Sequence, residues 1–294
     1  MFAPIRLVKG RWPGVITKPL GRFVWADPRS IVDPEVSADE FKVAMSAIHV
    51  GGTIKITGKD RHPQADALLT DNLDLGDALI VDIGASDGST SVDLIEKIGD
   101  FRAFVIADLF FTIKARRALG HTLFFDEQGE CILVVGNWLL AWPSQSRVVR
   151  ALYRPLIARA MRSPSPASDV LLLNPRVRRR MAEDPRVSYR VHDVFTTWTG
   201  DSPNVIKVAN LLRRLYFSDA DISRALAAIH DSLADGGHFL IVDNPRIKDM
   251  PPRGGLYRKS ASGFTAVACT ENIPEIDDLI RQLQAADRDS APPG

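Results

Sequence analysis

The residues Asp82-Ile83-Gly84-Ala85-Ser86-Asp87-Gly88 could do chemistry together. They follow an apolar run, Ala78 to Val81, of the kind a strand buried on both faces needs. They lead into a helical pattern from Ser91 to Ile98. Gly84 and Gly88 lack a Cβ, so a ligand can approach the backbone closely and either residue can take a positive φ. The N–H groups that open the helix point back at the crevice. Asp82, at the strand end, can accept a hydrogen bond from a cationic or amine group held there. A doubly wound sheet receives nucleotide-like ligands in this way, at the carboxyl ends of its strands. The glycines do not stand at the dinucleotide spacing G-x-G-x-x-G.

Further acids and amides end later strand patterns. Phe101 to Asp108 reads as the next strand, and its terminal acid falls where a βαβ unit binds the two ribose hydroxyls of an adenosine ligand. Asn174, after the apolar run Val170 to Leu173, is the rival for that role. Val187 to Phe195 alternates and carries His192 and Asp193 near its end. Val205 to Leu212 reads as a fourth strand that opens into the crevice at Asn210. Ser218 or Asp219 can cap a helix whose apolar face is Ile222, Leu226, Ile229 and Leu233. Asp235-Gly236-Gly237 stops that helix, and His238 to Asp243 reads as a fifth strand.

The D-x-G-x-S-x-G pattern from Asp82 resembles motif I of the class I S-adenosylmethionine-dependent methyltransferases, with Ser86 in place of the usual middle glycine. The run Ala225 to Val242 is similar to that family's helix, L-x-x-G-G turn and strand. The resemblance covers about Leu79 to Asp108 and Val187 to Asn244. It implies an α/β fold, a doubly wound and mostly parallel seven-stranded Rossmann-like sheet closed by an antiparallel hairpin. It also implies S-adenosylmethionine as cofactor, held by Asp82, Gly84, Ser86, Gly88, Asp108, Asp193, Val194 and Asn210, with Asp193 meeting the adenine amino group. A pyrophosphate needs a helix dipole aimed at an anion, whereas this donor carries an amino acid and a sulfonium, which an acidic Asp82 suits better.

Methyl transfer is an in-line displacement from an activated donor, so the protein mainly aligns the partners and excludes water. A base is needed only where the acceptor holds its proton, and His192 is the candidate. The resemblance also sorts subclasses. Asn210 is followed by Leu211, Leu212 and Arg213, not by the Pro-Pro-Tyr/Phe of the nucleobase and glutamine amino methyltransferases. No Pro-Cys nucleophile is present. Arg213 and Arg214 stand where plant-type O-methyltransferases carry a histidine. The Asn210 to Phe217 stretch is faintly similar to the chemotaxis-receptor methyltransferases, which suggests carboxylate or hydroxyl chemistry assisted by arginine. Either arginine can pair bidentately with an acidic acceptor or can be a solvated helix entry. The expectation is O-methylation of a small-molecule or lipid-like acceptor. An NAD(P)-dependent Rossmann oxidoreductase and a catalytically silent scaffold are the alternatives.

These residues need a scaffold. The chain has 294 residues, 45% hydrophobic and 25% charged, with a net charge of +1, the composition of a soluble globular protein with no mark of a nucleic-acid partner. Two distant cysteines give neither a disulfide framework nor a zinc module, and the six histidines show no metal spacing. There is no signal-peptide pattern and no membrane-length apolar run, so a cytoplasmic setting is expected. Residues 1–76 read as a cap, with a capping box at Ser37-Ala38-Asp39-Glu40 and short helices near Ala38–His49 and Pro63–Leu69. Residues 77–285 read as the methyltransferase domain and 286–294 as a flexible tail. An insertion over 110–168 holds a hairpin around Asp126 to Glu130, two tryptophans, and a basic amphipathic helix, Arg147 to Arg162, that Pro155 should kink or split. That insertion is a packed element, a lid, or a weak membrane-surface contact through 138–162. A homodimer is left open.

Overall fold

The computed structural model describes residues 3–50, 53–54, 62–244 and 250–283. The expected flexible tail 286–294 lies outside the described residues. The chain forms two compact units. One comprises Met1–Thr57 and Phe110–Arg178; the other comprises Gly58–Leu109 and Arg179–Gly294.

The second unit is built on seven strands: β1 (Leu79–Ile83), β2 (Ala103–Asp108), β3 (Val187–Val191), β4 (Val205–Ala209), β5 (His238–Asp243), β6 (Arg253–Ser260) and β7 (Gly263–Cys269). Their order across the sheet is β3-β2-β1-β4-β5-β6-β7. The first five are parallel; β6 pairs antiparallel with β5 and β7 antiparallel with β6. This is the doubly wound Rossmann-like order, closed by an antiparallel hairpin as the resemblance implies. Four helices flank it: α1 (Pro63–Thr70), α2 (Ser89–Ile98), α3 (Asp219–Ser232) and α4 (Asp277–Gln282). Val81, Ile83, Ile206, Val208 and Phe239 on one face pack with Ile222, Leu226 and Ile229 of α3 and Ile280 of α4.

Strand alternation sends Asp82 and its register partner Lys207 to the opposite face. There, Lys207 Nζ donates to Asp66 Oδ1 at 2.8 Å, and Lys97 Nζ to Asp66 Oδ2 at 3.0 Å. Lys207 is fully buried. Sequence alone assigns α1 to the cap; its buried Asp66 instead makes it part of the Rossmann-like unit, because a lysine in a central strand requires an acid beside it.

The first unit carries a second seven-stranded sheet. In spatial order its strands are Ser168–Leu171, Thr112–Ala118, His121–Phe125, Cys131–Val135, Leu139–Ala141, Ile5–Val8 and Val24–Trp25. The pairs are antiparallel except the last. The expected hairpin around Asp126–Glu130 is the centre of this sheet. The expectation of a separate cap and insertion is therefore corrected: Ile5–Val8 pairs with Leu139–Ala141, and the two segments share one sheet. Phe124, Leu133 and Val135 face Phe41 and Met45 of the Ala38–Met45 helix, while Leu123, Phe125 and Val134 face Val149, Tyr153, Leu156 and Ile157. Ser37 caps the former helix, accepting from Glu40 N–H at 3.3 Å.

The Arg147–Arg162 helix is continuous through Pro155, contrary to the expected kink or split. Pro155 lies on the exposed face, so the carbonyl it leaves unpaired can be hydrated. No helix among the described residues is long and apolar enough to cross a membrane.

Candidate functional site

The carboxyl ends of β1 to β5 bring most of the expected residues to one edge of the sheet. The loop after β1 folds over the end of β2: Gly84 N–H and Ala85 N–H both donate to Ala107 O, at 2.8 and 3.1 Å. Gly84 has φ +75°, and a Cβ there would lie 2.8 Å from Leu211 Cδ2. Glycine is therefore required by backbone and by space. Gly88, also left-handed at φ +75°, turns the chain into α2.

Ser86 takes φ +59° although it has a side chain, a conformation that costs an L-residue roughly 1–2 kcal/mol. Its N–H donates to Asp108 Oδ2 at 2.8 Å. Its Oγ is buried and has no hydrogen-bond partner among the described residues. A left-handed backbone and a buried hydroxyl without a partner both cost stability at this edge of the sheet.

Asp108 ends β2 with one carboxylate oxygen on that loop, and its carbonyl accepts His192 N–H at 3.0 Å. The ring of His192 stands edge-on to Trp198, centroids 5.0 Å apart. Burial, then the Arg190 charge, lowers its pKa, with Asp193 opposing. Asp193 Oδ1 accepts Phe195 N–H at 3.0 Å, closing the turn beyond β3, and Val194 is buried in the core.

Asn210 follows β4 in the left-handed region, φ +58°. Its N–H donates to Val242 O at 2.7 Å, its Oδ1 accepts Asn244 N–H at 2.6 Å, and its Nδ2 lies 3.2 Å from His62 Nε2. The rival ribose residue Asn174 belongs to the first unit, where its Oδ1 accepts Arg176 N–H at the start of the Pro175–Glu183 helix.

Other residues stand elsewhere. The Asp82 carboxylate is buried and accepts from Ser91 Oγ at 2.8 Å. Burial raises its pKa, with Lys207 opposing. Arg213 pairs with Glu275 at 3.3 Å and donates to Asn244 O. Arg214 pairs with Asp219 and Asp278 at 2.8 and 2.7 Å, and these acids raise its pKa. Arg214 thus fastens α3 to α4, and Arg213 ties the segment before α4 to the end of β5.

Three residues escaped the sequence reading. Asp87 is 2% exposed and accepts from Ser89 N–H at 3.0 Å and Ser89 Oγ at 2.9 Å, so a carboxylate already occupies the first turn of α2. Its signal was an acid between the glycine loop and a Ser-Thr-Ser run. His62 is buried beside Asn210; nothing in its neighbours signals this. Asp243, the last residue of β5, is 1% exposed; Oδ2 accepts Glu275 N–H at 2.9 Å, Oδ1 has no partner among the described residues, and burial raises its pKa. Among the described residues no cluster of three or more His, Cys, Asp or Glu is arranged to hold a metal ion.

The strand order and register define a Rossmann-like domain. No family model and no curated protein matches the chain. Among solved structures, it is similar to the N-methyltransferase NodS from Bradyrhizobium japonicum in complex with S-adenosylhomocysteine. The two are 15% identical over 62% of this chain and 60% of that one, with a TM-score of 0.33. It is also similar to CalS10, an amino pentose methyltransferase from Micromonospora echinaspora, at 13% identity over 68% and 64% of the two chains and a TM-score of 0.33. LepI in complex with S-adenosylmethionine gives 14% identity over 72% and 37%, with the same TM-score. Across eight such structures the match spans 28% to 64% of the other chain. At these identities and TM-scores the likeness carries no argument about chemistry, and the fold assignment rests on strand order and register.

Proposed function

We propose that the second unit is an S-adenosylmethionine-dependent methyltransferase acting on a hydroxyl or carboxylate of a small or lipid-like acceptor. Asp87 carries this reading. A dinucleotide would bring a pyrophosphate dianion to the N-terminus of α2, where the Asp87 carboxylate already takes the Ser89 donors. With Asp108 one strand over, the crevice mouth is acidic, which favours a ligand carrying ammonium and sulfonium charges. When bound, such a donor supplies an electrophilic methyl group.

The chain's residues then bind and align. Asp108 Oδ1 accepts from ribose hydroxyls while Oδ2 holds the loop. Ser86 Oγ donates to the ligand's amino-acid end, Gly84 and Gly88 let the backbone approach, and Asp193 and Val194 border the adenine. The imidazole of His192 is the acceptor-side base. Arg213 and Arg214, engaged with Glu275, Asp219 and Asp278, position helices.

Calorimetric titration tests the reading. The wild type is expected to bind S-adenosylhomocysteine in preference to NAD, and Asp108→Ala to weaken that binding by about 1–3 kcal/mol. Tighter binding of NAD would favour the oxidoreductase alternative; unchanged affinity in the variant would remove Asp108 from the site.

A further inference from the structure

The first unit has a corner that the methyltransferase reading does not use. Trp12 and Trp138, far apart in sequence, meet edge to face with ring centroids 5.4 Å apart, and Trp12 Nε1 donates to Trp138 O at 2.7 Å. Trp138 is 54% exposed. The loop beyond Trp12 presents Val15, 86% exposed, together with Ile16 and Leu20. Lys9, Arg11, Lys18 and Arg22 are exposed among them. No acid interrupts residues 3–26, and none interrupts residues 131–168, which contain Trp138 and five arginines, Arg147, Arg150, Arg154, Arg159 and Arg162. A chain with a net charge of only +1 therefore gathers cations and bare apolar tips on these two segments.

Exposed aliphatic side chains in a cluster mark an interaction surface. Paired tryptophans suit the boundary between water and hydrocarbon, where an apolar ring and a polar N–H are both satisfied. Cations beside them are attracted to anionic headgroups. A nucleic acid would use the cations and rings but would gain nothing from Val15, Ile16 and Leu20. We propose that residues 9–22 and Trp138 form a docking surface for an anionic lipid bilayer, with Val15, Ile16, Leu20 and the tryptophans entering the headgroup boundary. The basic segment 138–162 contributes Trp138 to this contact. The proposal does not depend on the reaction of the second unit.

Co-sedimentation of the full chain with vesicles tests it. Binding is expected to vesicles of phosphatidylcholine with 30% phosphatidylglycerol, about tenfold or more above phosphatidylcholine alone, with a blue shift of tryptophan emission and weakening by salt. Arg11→Gln and Lys18→Gln should each reduce it about fivefold. Val15→Asp with Leu20→Asp should abolish the blue shift while the far-ultraviolet circular dichroism stays that of the wild type. Equal binding to both vesicle types, or full binding by the folded aspartate variant, would overturn the proposal. So would displacement of the vesicles by a single-stranded oligothymidylate, which would assign the surface to nucleic acid instead.

Discussion

The two units bury different chemistry. Among the described residues, the wholly buried polar side chains of the first unit are Thr122 and Asn174, with part of the Arg6 and Arg178 guanidinium groups also buried; those of the second include Asp66, Asp82, Asp87, Asp93, Lys207 and Asp243. The first unit is held by Phe41, Phe124, Trp142 and aliphatic side chains on both faces of its sheet. The second holds a lysine inside a central strand and places two non-glycine residues, Ser86 and Asn210, in left-handed conformations at one edge; the first has Leu119 in the same region, in the turn between Thr112–Ala118 and His121–Phe125. Ion pairs in a core seldom add stability over apolar packing of the same volume, and strained backbone never does. The comparison teaches that an apolar sheet is enough to fold, and that the fully buried carboxylates and lysine of the described residues lie in the Rossmann-like unit.

The largest test breaks the buried network. Lys207→Met should destabilise the second unit by about 3–5 kcal/mol, because Asp66 and Asp82 lose a cation they cannot leave. Native-state hydrogen exchange of the β1 and β4 amides reads this directly. In the first unit Ile132→Val should cost only about 0.5–1.5 kcal/mol, and equal losses in both would erase the contrast. Gly84→Ala should cost about 2 kcal/mol through its positive φ and the approach of Leu211, and adding Leu211→Ala should recover part of it in denaturant titrations. Ser86→Gly should change stability by less than about 1 kcal/mol, as relief of strain offsets backbone entropy. It should still weaken S-adenosylhomocysteine binding; unweakened binding would leave the orphaned hydroxyl without a role.

The smallest effect is a slope. Burial raises the folded-state pKa of Asp82. Its contribution to stability is thus complete below its unfolded value of about 3.9 and declines as pH rises through the folded value. Asp82→Asn should flatten that decline, so wild type and variant would converge or cross as pH rises. Parallel curves would show that Lys207 cancels the burial.

Much of the second unit was legible because its strands are local, continuous apolar runs that end in acids or amides, and its helices carry a regular apolar stripe. The glycine loop and Asp108 could be placed from spacing alone. The strand Arg253–Ser260 could not, since Arg253-Gly254-Gly255 and Arg258-Lys259 carry neither alternation nor branching; it is a strand because β5 and β7 flank it. The first unit was opaque for a related reason. Ile5–Val8 is short and follows Pro4, and its partner Leu139–Ala141 lies across the whole of β1 and β2. Pairing of that kind has no local signature. At the site, the burial of Asp82 and its partner Ser91 were not legible, because a strand position gives the face of a side chain only once the register is known. The destinations of Arg213 and Arg214 depended on Glu275 and Asp278, far along the chain.

The interleaving of the units has a consequence for biosynthesis. Ile5 finds its partner only when Ala141 has left the ribosome, and by then β1, α2 and β2 have already emerged between them. At typical synthesis rates that wait is on the order of 10 s. During it, the strands destined for two different sheets share one nascent chain, so chaperone dependence should fall on the Ile5–Val8 strand, and a circular permutant that begins at the Ala38–Met45 helix, in which that strand follows Leu139–Ala141, should lift it from there.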